Sequence, residues 1–381
     1  MADAKTIDHD VVIVGGGLAG LTAAYRLEQA GIDFLLLEAR DRFGGRIMSA
    51  GIDGTPAGDG FDLGPSWVWP QWQPALGRLL TEMGLSPFAQ YAAGDMIYEN
   101  AVSQGPVRHH GFRQDPPSMR IPGGTGALID ALKRKLPEHR LRTRSQVLKL
   151  AVAGDRAELV IRDESGDRTI SARQVVIAVP PRLAETSMVF EPPLPTATAA
   201  LWRDTATWMA PHAKFFAVYD RAFWREAGLS GNAQSRVGPL VEIHDATTAS
   251  GKAALFGFVG VPADRRAAAG DAVVIEAALA QLVRLFGAEA GAPRATLYKD
   301  WAADPLTATT QDQLGGDHPA ATRQPWISGP WAARLLLAGS ETSQSEPGYL
   351  AGAVEAAEVA ASTIIRSLGA TPETQESEAT P

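Results

Sequence analysis

The chain of 381 residues contains no cysteine. Disulfides, thiolate metal ligands and cysteine nucleophiles are therefore excluded, and so is a thioether bond that would attach a cofactor to the protein. Basic residues are also outnumbered, because 35 Lys and Arg stand against 43 Asp and Glu and give a formal net charge of -8. A chain of this charge has no broad basic surface for phosphate backbones, so we expect no nucleic-acid partner.

Long apolar runs are absent as well. No stretch reaches the length of a membrane span, and the polar start of the chain, 1–10, lacks the basic and apolar regions of a secretory signal. We therefore expect a cytoplasmic protein without a membrane span. The end of the chain, 369–381, is rich in Glu, Thr and Pro and has no aromatic residue, which predicts a disordered tail.

The first recognisable unit has the order strand, helix, strand. A β-branched run at 10–14 ends in three glycines, apolar residues with helical spacing cover 18–30, and a second buried-type strand covers 34–37. Such a β-α-β unit is typical of one half of a dinucleotide-binding domain. Patterns farther along the chain predict strands at 146–161 (a hairpin turning at 154–155), 168–171, 174–179, 213–219, 253–259 and 335–338, and helices at 272–286 and 352–368.

The glycine turn of the first unit carries a dinucleotide fingerprint. Gly15 allows the tight turn, Gly17 lets the backbone approach a pyrophosphate at the helix N-terminus, and Gly20 lets the helix pack closely on the strand. Glu38 ends the second strand, where its carboxylate accepts hydrogen bonds from a ribose diol and repels the 2′-phosphate of NADP. These residues predict a dinucleotide site and leave NAD and FAD open.

The segment after Glu38 narrows that choice. Arg40 to Arg46 reads Arg-Asp-Arg-Phe-Gly-Gly-Arg, which supplies a second close backbone approach and a positive charge for a diphosphate. Glycine fingerprint, acid and Gly-Gly-Arg in this order resemble the flavin-containing amine oxidase family, which includes monoamine oxidase, polyamine oxidase and L-amino acid oxidase. Other segments similar to that family run through most of the chain: Asp62 to Trp67, Ile121 to Gly126, Val175 to Pro180, Ala338 to Thr342 and Gly348 to Ala357.

The resemblance implies an α/β fold. A Rossmann-type FAD-binding domain is expected to be discontinuous, because Rossmann-like elements stand at both ends of the chain, and to carry an inserted α+β substrate domain of mixed sheet and helices. The predicted FAD-binding domain covers 1–78, 120–200 and 311–368. The predicted substrate-binding domain covers 79–119 and 201–310.

The cofactor implied by the resemblance is non-covalent FAD. Asp317 stands where covalently flavinylated members carry the flavin-linking cysteine, so no link to the protein is expected. The helix after Gly348 is expected to point its N-terminus at the flavin N1 and O2 edge, which stabilises the negative charge of a reduced flavin. The implied cofactor-binding residues are Gly15, Gly17, Ala19, Gly20, Glu38, Ala39, Arg40, Gly44, Gly45, Arg46, Gly64, Pro65, Ser66, Trp67, Val147, Gly339, Glu341, Tyr349 and Leu350.

Four residues are candidates for the chemistry. Lys214 lies in an apolar strand and resembles the family lysine that reaches flavin N5 through a water; the alternative is a snorkelling lysine on an edge strand. Tyr349 matches one of two aromatic walls that flank the substrate amine, and His318 stands where the other wall tyrosine is expected. The alternatives are a packed tyrosine and a surface-loop histidine. Trp301 resembles a tryptophan packed near the site, although core packing alone also explains it.

The chain departs from the family in one long segment. Where other members place a long helical part of the substrate domain, this chain has only 86–120, a short piece rich in Gly and Pro. We expect a small lid and an open site, which accepts bulkier or more varied substrates or is closed by a second subunit of a homodimer. His109 and His110 fall in this piece and are expected to be either substrate contacts or exposed loop histidines.

The expected reaction is oxidation of an amine to an imine. A hydride equivalent passes from the carbon beside nitrogen to flavin N5, water hydrolyses the imine to an aldehyde or ketone, and O2 reoxidises the flavin and gives H2O2; a dehydrogenase version uses another acceptor. Two alternatives stay open: a desaturase or protoporphyrinogen-oxidase-like enzyme that oxidises C–C bonds, and a non-catalytic flavin-binding electron-transfer subunit. No metal site is predicted, because no His or carboxylate cluster has ligand spacing.

Overall fold

The computed structural model describes residues 7–111 and 114–369, and its strands form two large sheets. The first sheet contains β1 (Ile7–Val14), β2 (Phe34–Leu37), β9 (Leu141–Arg142), β10 (Gln146–Ala153), β11 (Arg156–Asp163), β12 (Gly166–Ile177), β13 (Val189–Glu191) and β19 (Leu335–Leu337). The second contains β6 (Asp95–Glu99), β7 (Val107–His109), β14 (Ala213–Tyr219), β15 (Leu229–Ser235), β16 (Leu240–Asp245), β17 (Ala253–Val259) and β18 (Ala295–Asp300). Two short pairs are β3 (Ser49–Ala50) with β4 (Phe61–Asp62), and β5 (Phe88–Ala89) with β8 (Met119–Arg120).

Helices cover both sheets. The α-helices are α1 (Leu18–Gln29), α2 (Pro74–Glu82), α3 (Gly126–Lys133), α4 (Pro181–Ser187), α5 (Thr196–Asp204), α6 (Phe223–Glu226), α7 (Ala263–Ala269), α8 (Asp271–Phe286) and α9 (Leu350–Gly369). Within the part of the chain that the structure describes, no helix combines the length and the apolar character needed to cross a membrane.

The first sheet has a parallel core in the order β9-β2-β1-β12-β19. Residues 11–14 of β1 and all of β2 are apolar on both faces, as parallel strands covered on both sides require. One face packs against α1, α2, α3 and α9 in a cluster that includes Ile13, Leu36 and Val354. The other face packs against the β10–β12 strands around Val12 and Leu150. The expected α/β fold with a Rossmann-type unit is confirmed.

The second sheet carries the apolar cluster that α8 covers. Phe215 and Leu255 on neighbouring strands pack against Val274 and Leu282 of α8. Strands of this sheet lie within 95–109 and 213–300, whereas those of the first sheet lie within 7–37, 141–191 and 335–337. The exact domain boundaries given above stay predictions.

The structure corrects three local predictions. Strand β12 is one strand of 12 residues rather than two, because β1 pairs along 170–177 and leaves no break between its two halves. No strand was predicted in 86–120, but β6 and β7 of this segment extend the second sheet. Gly369 still belongs to α9 and not to the predicted tail. The remainder of that tail, 370–381, lies outside the described residues.

Candidate active site

A cavity of about 850 Å³ lies where the carboxyl ends of the parallel strands meet one face of the second sheet. Crevices at the carboxyl ends of parallel strands are where α/β folds bind ligands. The cavity brings together most of the residues predicted for the site: Gly15, Gly17, Ala19, Glu38, Ala39, Arg40, Gly44, Gly45, Arg46, Gly64, Pro65, Ser66, Trp67, Val147, Lys214, His318, Tyr349 and Leu350.

The dinucleotide end of the cavity is built from backbone groups. Helix α1 starts after Gly17 without a side-chain cap, so its first N–H groups are available to an anion. The buried Glu38 carboxylate accepts hydrogen bonds from Gly16 N at 2.7 Å and Arg40 N at 2.8 Å. A carboxylate has lone pairs beyond these two bonds, so Glu38 retains acceptor capacity for a ribose hydroxyl.

Gly20 contributes by close packing and does not line the cavity. A Cβ atom at this position would lie 1.9 Å from Gly15 O, so any side chain would push α1 away from the glycine turn. Gly339 is also absent from the lining; a Cβ there would lie 3.0 Å from Val179 O. Gly20 therefore has the packing role that the fingerprint predicts, and a direct contact of either glycine with the cofactor stays a prediction.

Glu341 is likewise not a cavity residue. Its carboxylate is fully buried and binds Arg46 Nη1 at 2.6 Å, while the same nitrogen donates to Trp208 O at 2.9 Å. Arg46 itself lines the cavity. The acid thus holds the arginine, and the arginine faces the ligand space; a direct cofactor contact of Glu341 stays a prediction.

Lys214 lies on β14, the second strand from one edge of the second sheet, with 1% of its surface exposed. Because β14 pairs with β17 on one side and β18 on the other, the snorkelling edge-strand alternative is wrong. The ammonium donates to Asp62 O at 3.1 Å, Gly64 O at 2.7 Å and Ser66 Oγ at 2.8 Å. Burial lowers the pKa of Lys214 to about 7, with Asp62 acting upward and Arg120 downward.

Three aromatic rings from distant segments form a stack at the cavity. The His318 ring centroid lies 3.5 Å from that of Trp208 and 4.4 Å from that of Tyr349, with the planes inclined by 25° and 18°. Gly348 allows this approach, since its φ is +84° and a Cβ there would lie 3.0 Å from Trp208 Cβ. The surface-loop alternative for His318 is therefore wrong.

The same stack corrects the expected pair of walls. Rings whose centroids are 4.4 Å apart are in direct contact, so no amine fits between His318 and Tyr349 in this structure. Tyr349 keeps 39% of its surface exposed and lines the cavity, so it is not a packed core tyrosine. Sequence reasoning missed Trp208, which no motif marks.

Trp301 belongs to the core and not to the cavity lining. It is fully buried and donates its indole N–H to Leu63 O at 2.9 Å. Gly64 follows Leu63 in the chain, and its carbonyl oxygen accepts a hydrogen bond from Lys214. The prediction of Trp301 as a catalytic residue is corrected, because it positions the segment that holds the lysine. His109 and His110 are exposed and do not line the cavity, although His109 ends β7 and only His110 lies outside a strand.

A second cavity residue that sequence reasoning missed is Glu242. Strand register places Glu242 opposite Phe258, and Phe258 opposite Lys214. Directly paired residues project from the same face, so the carboxylate and the ammonium flank Phe258 with Cα atoms roughly 10 Å apart. His244 Nε2 lies 2.7 Å from Glu242 Oε1 and lowers the pKa of this carboxyl.

The residues at the dinucleotide end fit FAD. An uncapped helix N-terminus, the Gly45 backbone and the Arg46 guanidinium suit a diphosphate, and Glu38 suits a ribose. The N-terminal turn of α9, at Leu350, carries no acidic residue and also lines the cavity. A helix start of this kind favours the negative charge of a reduced flavin ring.

Comparison with known proteins identifies the family. The model described as "Flavin containing amine oxidoreductase" matches residues 18–118 and 107–365. The chain therefore belongs to the flavin-containing amine oxidoreductase family, as the sequence motifs indicated. It is an FAD-dependent amine oxidoreductase, and its FAD is non-covalent, with no cysteine present to form a thioether.

The similar proteins include oxidases of several amines. A probable flavin-containing monoamine oxidase A of Dictyostelium discoideum is 24% identical over 91% of this chain and 95% of its own length. Putrescine oxidase of Kocuria rosea is 27% identical over 93% and 95%. The aligned span of 474 residues exceeds the 381 residues of this chain, so that relative carries segments that this chain lacks.

Solved structures share the fold. Putrescine oxidase bound to putrescine superimposes with a TM-score of 0.79 at 22% identity, covering 95% of this chain and 100% of that chain. Cyclohexylamine oxidase from Brevibacterium oxydans IH-35A gives a TM-score of 0.77 at 22% identity and the same coverage. The expected fold, a Rossmann-type FAD-binding domain with an inserted substrate domain, is therefore confirmed.

Proposed function

We propose that the protein oxidises the carbon beside the nitrogen of a small amine to an imine, which water hydrolyses to an aldehyde or ketone. FAD, when bound, would supply the redox chemistry as the acceptor of a hydride equivalent at N5, with O2 as the final acceptor and H2O2 as the product. The observation that carries the proposal is Lys214, a buried lysine without a carboxylate partner among the described residues, in the same cavity as the dinucleotide turn.

Lys214 has a defined task in this proposal. A pKa of about 7 lets the side chain hold or release a proton near neutral pH. Its three oxygen acceptors fix the Nζ atom against the Asp62 to Ser66 segment, which also lines the cavity at Gly64 and Ser66. From that position the charge of the lysine favours anionic products of O2 reduction.

The cavity favours a simple amine over an amino acid. A guanidinium without an acidic partner is the usual clamp for a carboxylate substrate, whereas each arginine that lines the cavity is paired with an acid of the protein. Arg40 Nη2 binds Asp304 at 2.9 Å, and Arg266 Nε binds Asp300 at 2.7 Å, in addition to the pair of Arg46 with Glu341. Glu242 meanwhile adds a negative charge that attracts an ammonium group to the cavity.

Family membership weighs against both alternatives. An amine oxidoreductase family argues against C–C desaturation, and an enzyme family argues against a non-catalytic electron-transfer subunit. We retain a cytoplasmic location, O2 as acceptor and a homodimer as proposals. Size-exclusion chromatography with light scattering tests the last of these directly.

A product assay in air tests the proposed reaction. Primary, secondary and amino acid amines are each incubated with the FAD-saturated protein, and the carbonyl product, the amine consumed and H2O2 are quantified together. We expect equal amounts of all three with at least one simple amine, and a lower rate for Lys214→Met. The matched control is Lys252→Met, which alters a half-exposed lysine paired with Asp59. Carbonyl product that forms only after an artificial electron acceptor is added would instead indicate a dehydrogenase.

A further inference from the structure

His318, which is stacked between Trp208 and Tyr349, already has a hydrogen-bond partner for one of its ring nitrogens. His318 Nδ1 lies 3.3 Å from Pro347 O, and a carbonyl oxygen only accepts hydrogen bonds, so the proton of a neutral ring sits on Nδ1. The lone pair is then on Nε2. A hydrogen bond to the backbone thus selects the tautomer in which Nε2 is a proton acceptor.

The Nε2 atom is available to a ligand. It has no hydrogen-bond partner among the described residues. It is also not fully buried, so a ligand can reach it. Trp208 and Tyr349 cover the two faces of the ring, so a ligand in the cavity reaches only its edge. The geometry therefore presents a basic nitrogen, held in a fixed plane, to the space where the substrate binds.

The surroundings keep this nitrogen unprotonated at neutral pH. Partial burial lowers the pKa of His318, while the bond to Pro347 O acts in the opposite direction. The π faces of Trp208 and Tyr349 stabilise the ring once it gains a proton. The segments packed around His318 carry three titratable groups, His212, Glu346 and Tyr349, and its neighbour in the chain is Asp317. Arg46, paired with Glu341, is linked to the stack by its hydrogen bond to Trp208 O.

We propose that His318 is the base that removes the proton from the substrate's ammonium group. This inference rests on the proposed function, because only an amine substrate supplies that proton. An N–H bond of the ammonium breaks, its electron pair stays on the amine nitrogen, and a new N–H bond forms at His318 Nε2. The amine then has the lone pair that supports oxidation of the neighbouring carbon, and the imidazolium returns its proton to solvent water.

Proton transfer from the ammonium to His318 is energetically reasonable because the cavity changes the proton affinity of both groups. An alkylammonium has a pKa of about 10 in water, as lysine does. Loss of hydration inside the cavity lowers that value, whereas the two aromatic faces raise the affinity of the ring for a proton. The difference between the pKa of the ammonium and the pKa of His318 is therefore smaller when the substrate is bound than when it is in water.

Single-turnover kinetics test this role. The rate of anaerobic FAD reduction by an amine is followed from pH 6 to 10 in the wild type and in His318→Phe, which keeps an aromatic ring in the stack. We expect the variant to be about 100-fold slower at pH 7, within the usual range for general bases, and to recover at pH 10, where the free amine is present in solution. His318→Gln is the second variant if the first does not bind FAD, and His212→Phe should keep the wild-type profile.

A spectroscopic readout complements the rates. With ¹⁵N-labelled histidine, an amine that has no hydrogen on the neighbouring carbon, such as tert-butylamine, should move the His318 Nε2 signal toward its protonated position and leave Nδ1 protonated. The inference is overturned if the rate of FAD reduction in His318→Phe and His318→Gln depends on pH in the same way as in the wild type. It is also overturned if His212→Phe, rather than the His318 variants, changes the pH dependence of that rate below neutral pH. If no amine reduces the wild-type FAD, the proposed function itself has failed, and this outcome precedes any comparison of variants.

Discussion

Replacing Arg46 by methionine should destabilise the protein, because the Glu341 carboxylate would then be buried without its partner. Both carboxylate oxygens lie within 3.2 Å of Arg46 nitrogens, and Glu341 has 0% of its surface exposed. Removing one member of a buried pair costs about 3–5 kcal/mol. Since 23% of the Arg46 side chain is exposed, we expect a value near the lower end, about 3 kcal/mol.

A double-mutant cycle in urea separates this charge effect from lost packing. The free energies of unfolding are compared for Arg46→Met, Glu341→Gln and the double variant, each saturated with FAD. The double variant should be more stable than Arg46→Met, because it no longer buries an unpaired carboxylate. We expect a coupling of about 2 kcal/mol, which lies within the range for residues in contact.

An exposed ion pair provides the control. Arg162 and Asp167 lie 2.7 Å apart with about half of each side chain exposed, and such pairs contribute about 0–1 kcal/mol. Arg162→Met should therefore have a small effect. If the two single substitutions at Arg46 and Glu341 add without coupling, the assignment of Glu341 as the residue that holds Arg46 is wrong.

Two further predictions concern ionisable residues of the cavity. The pKa of Lys214 is about 7 in the folded chain and 10.5 without perturbation, so the unfolded chain binds more protons between these values and stability rises with pH across that window, by up to about 1.4 kcal/mol per pH unit. Lys214→Met should lose this rise in urea midpoints measured from pH 7 to 10, while Lys252→Met retains it. Glu38→Gln replaces an acceptor of two backbone N–H groups, so it should weaken FAD binding by roughly 10-fold or more in a fluorescence titration; unchanged affinity would contradict the role of Glu38 at the ribose.

Local patterns predicted the parts of the site that lie within one segment. The glycine turn and Glu38 follow directly from a strand-helix-strand pattern, and α1 spans Leu18–Gln29 where 18–30 was expected. Lys214 was visible because a charged residue interrupts an apolar strand, and β14 has the predicted bounds. In these cases the residues that determine the structure are close together in sequence.

Contacts between distant segments could not be predicted in the same way. Trp208, His318 and Tyr349 meet only when three loops converge, and no periodicity encodes the 3.5 Å approach of the first two rings. Glu242 faces the cavity because of the register between β16 and β17, which alternation within one strand does not fix. Trp301 misled the sequence reasoning for a related reason, since a buried tryptophan beside the site and one lining it share the same local pattern.

Anaerobic spectroscopy of the purified protein tests the central claim most directly. The yellow protein is titrated with amines under argon while the flavin absorbance near 450 nm is followed, and a second sample is precipitated with acid. The account predicts that at least one simple amine bleaches the flavin and that acid releases all FAD into the supernatant. FAD that no amine reduces, or a protein that contains no FAD, would contradict it.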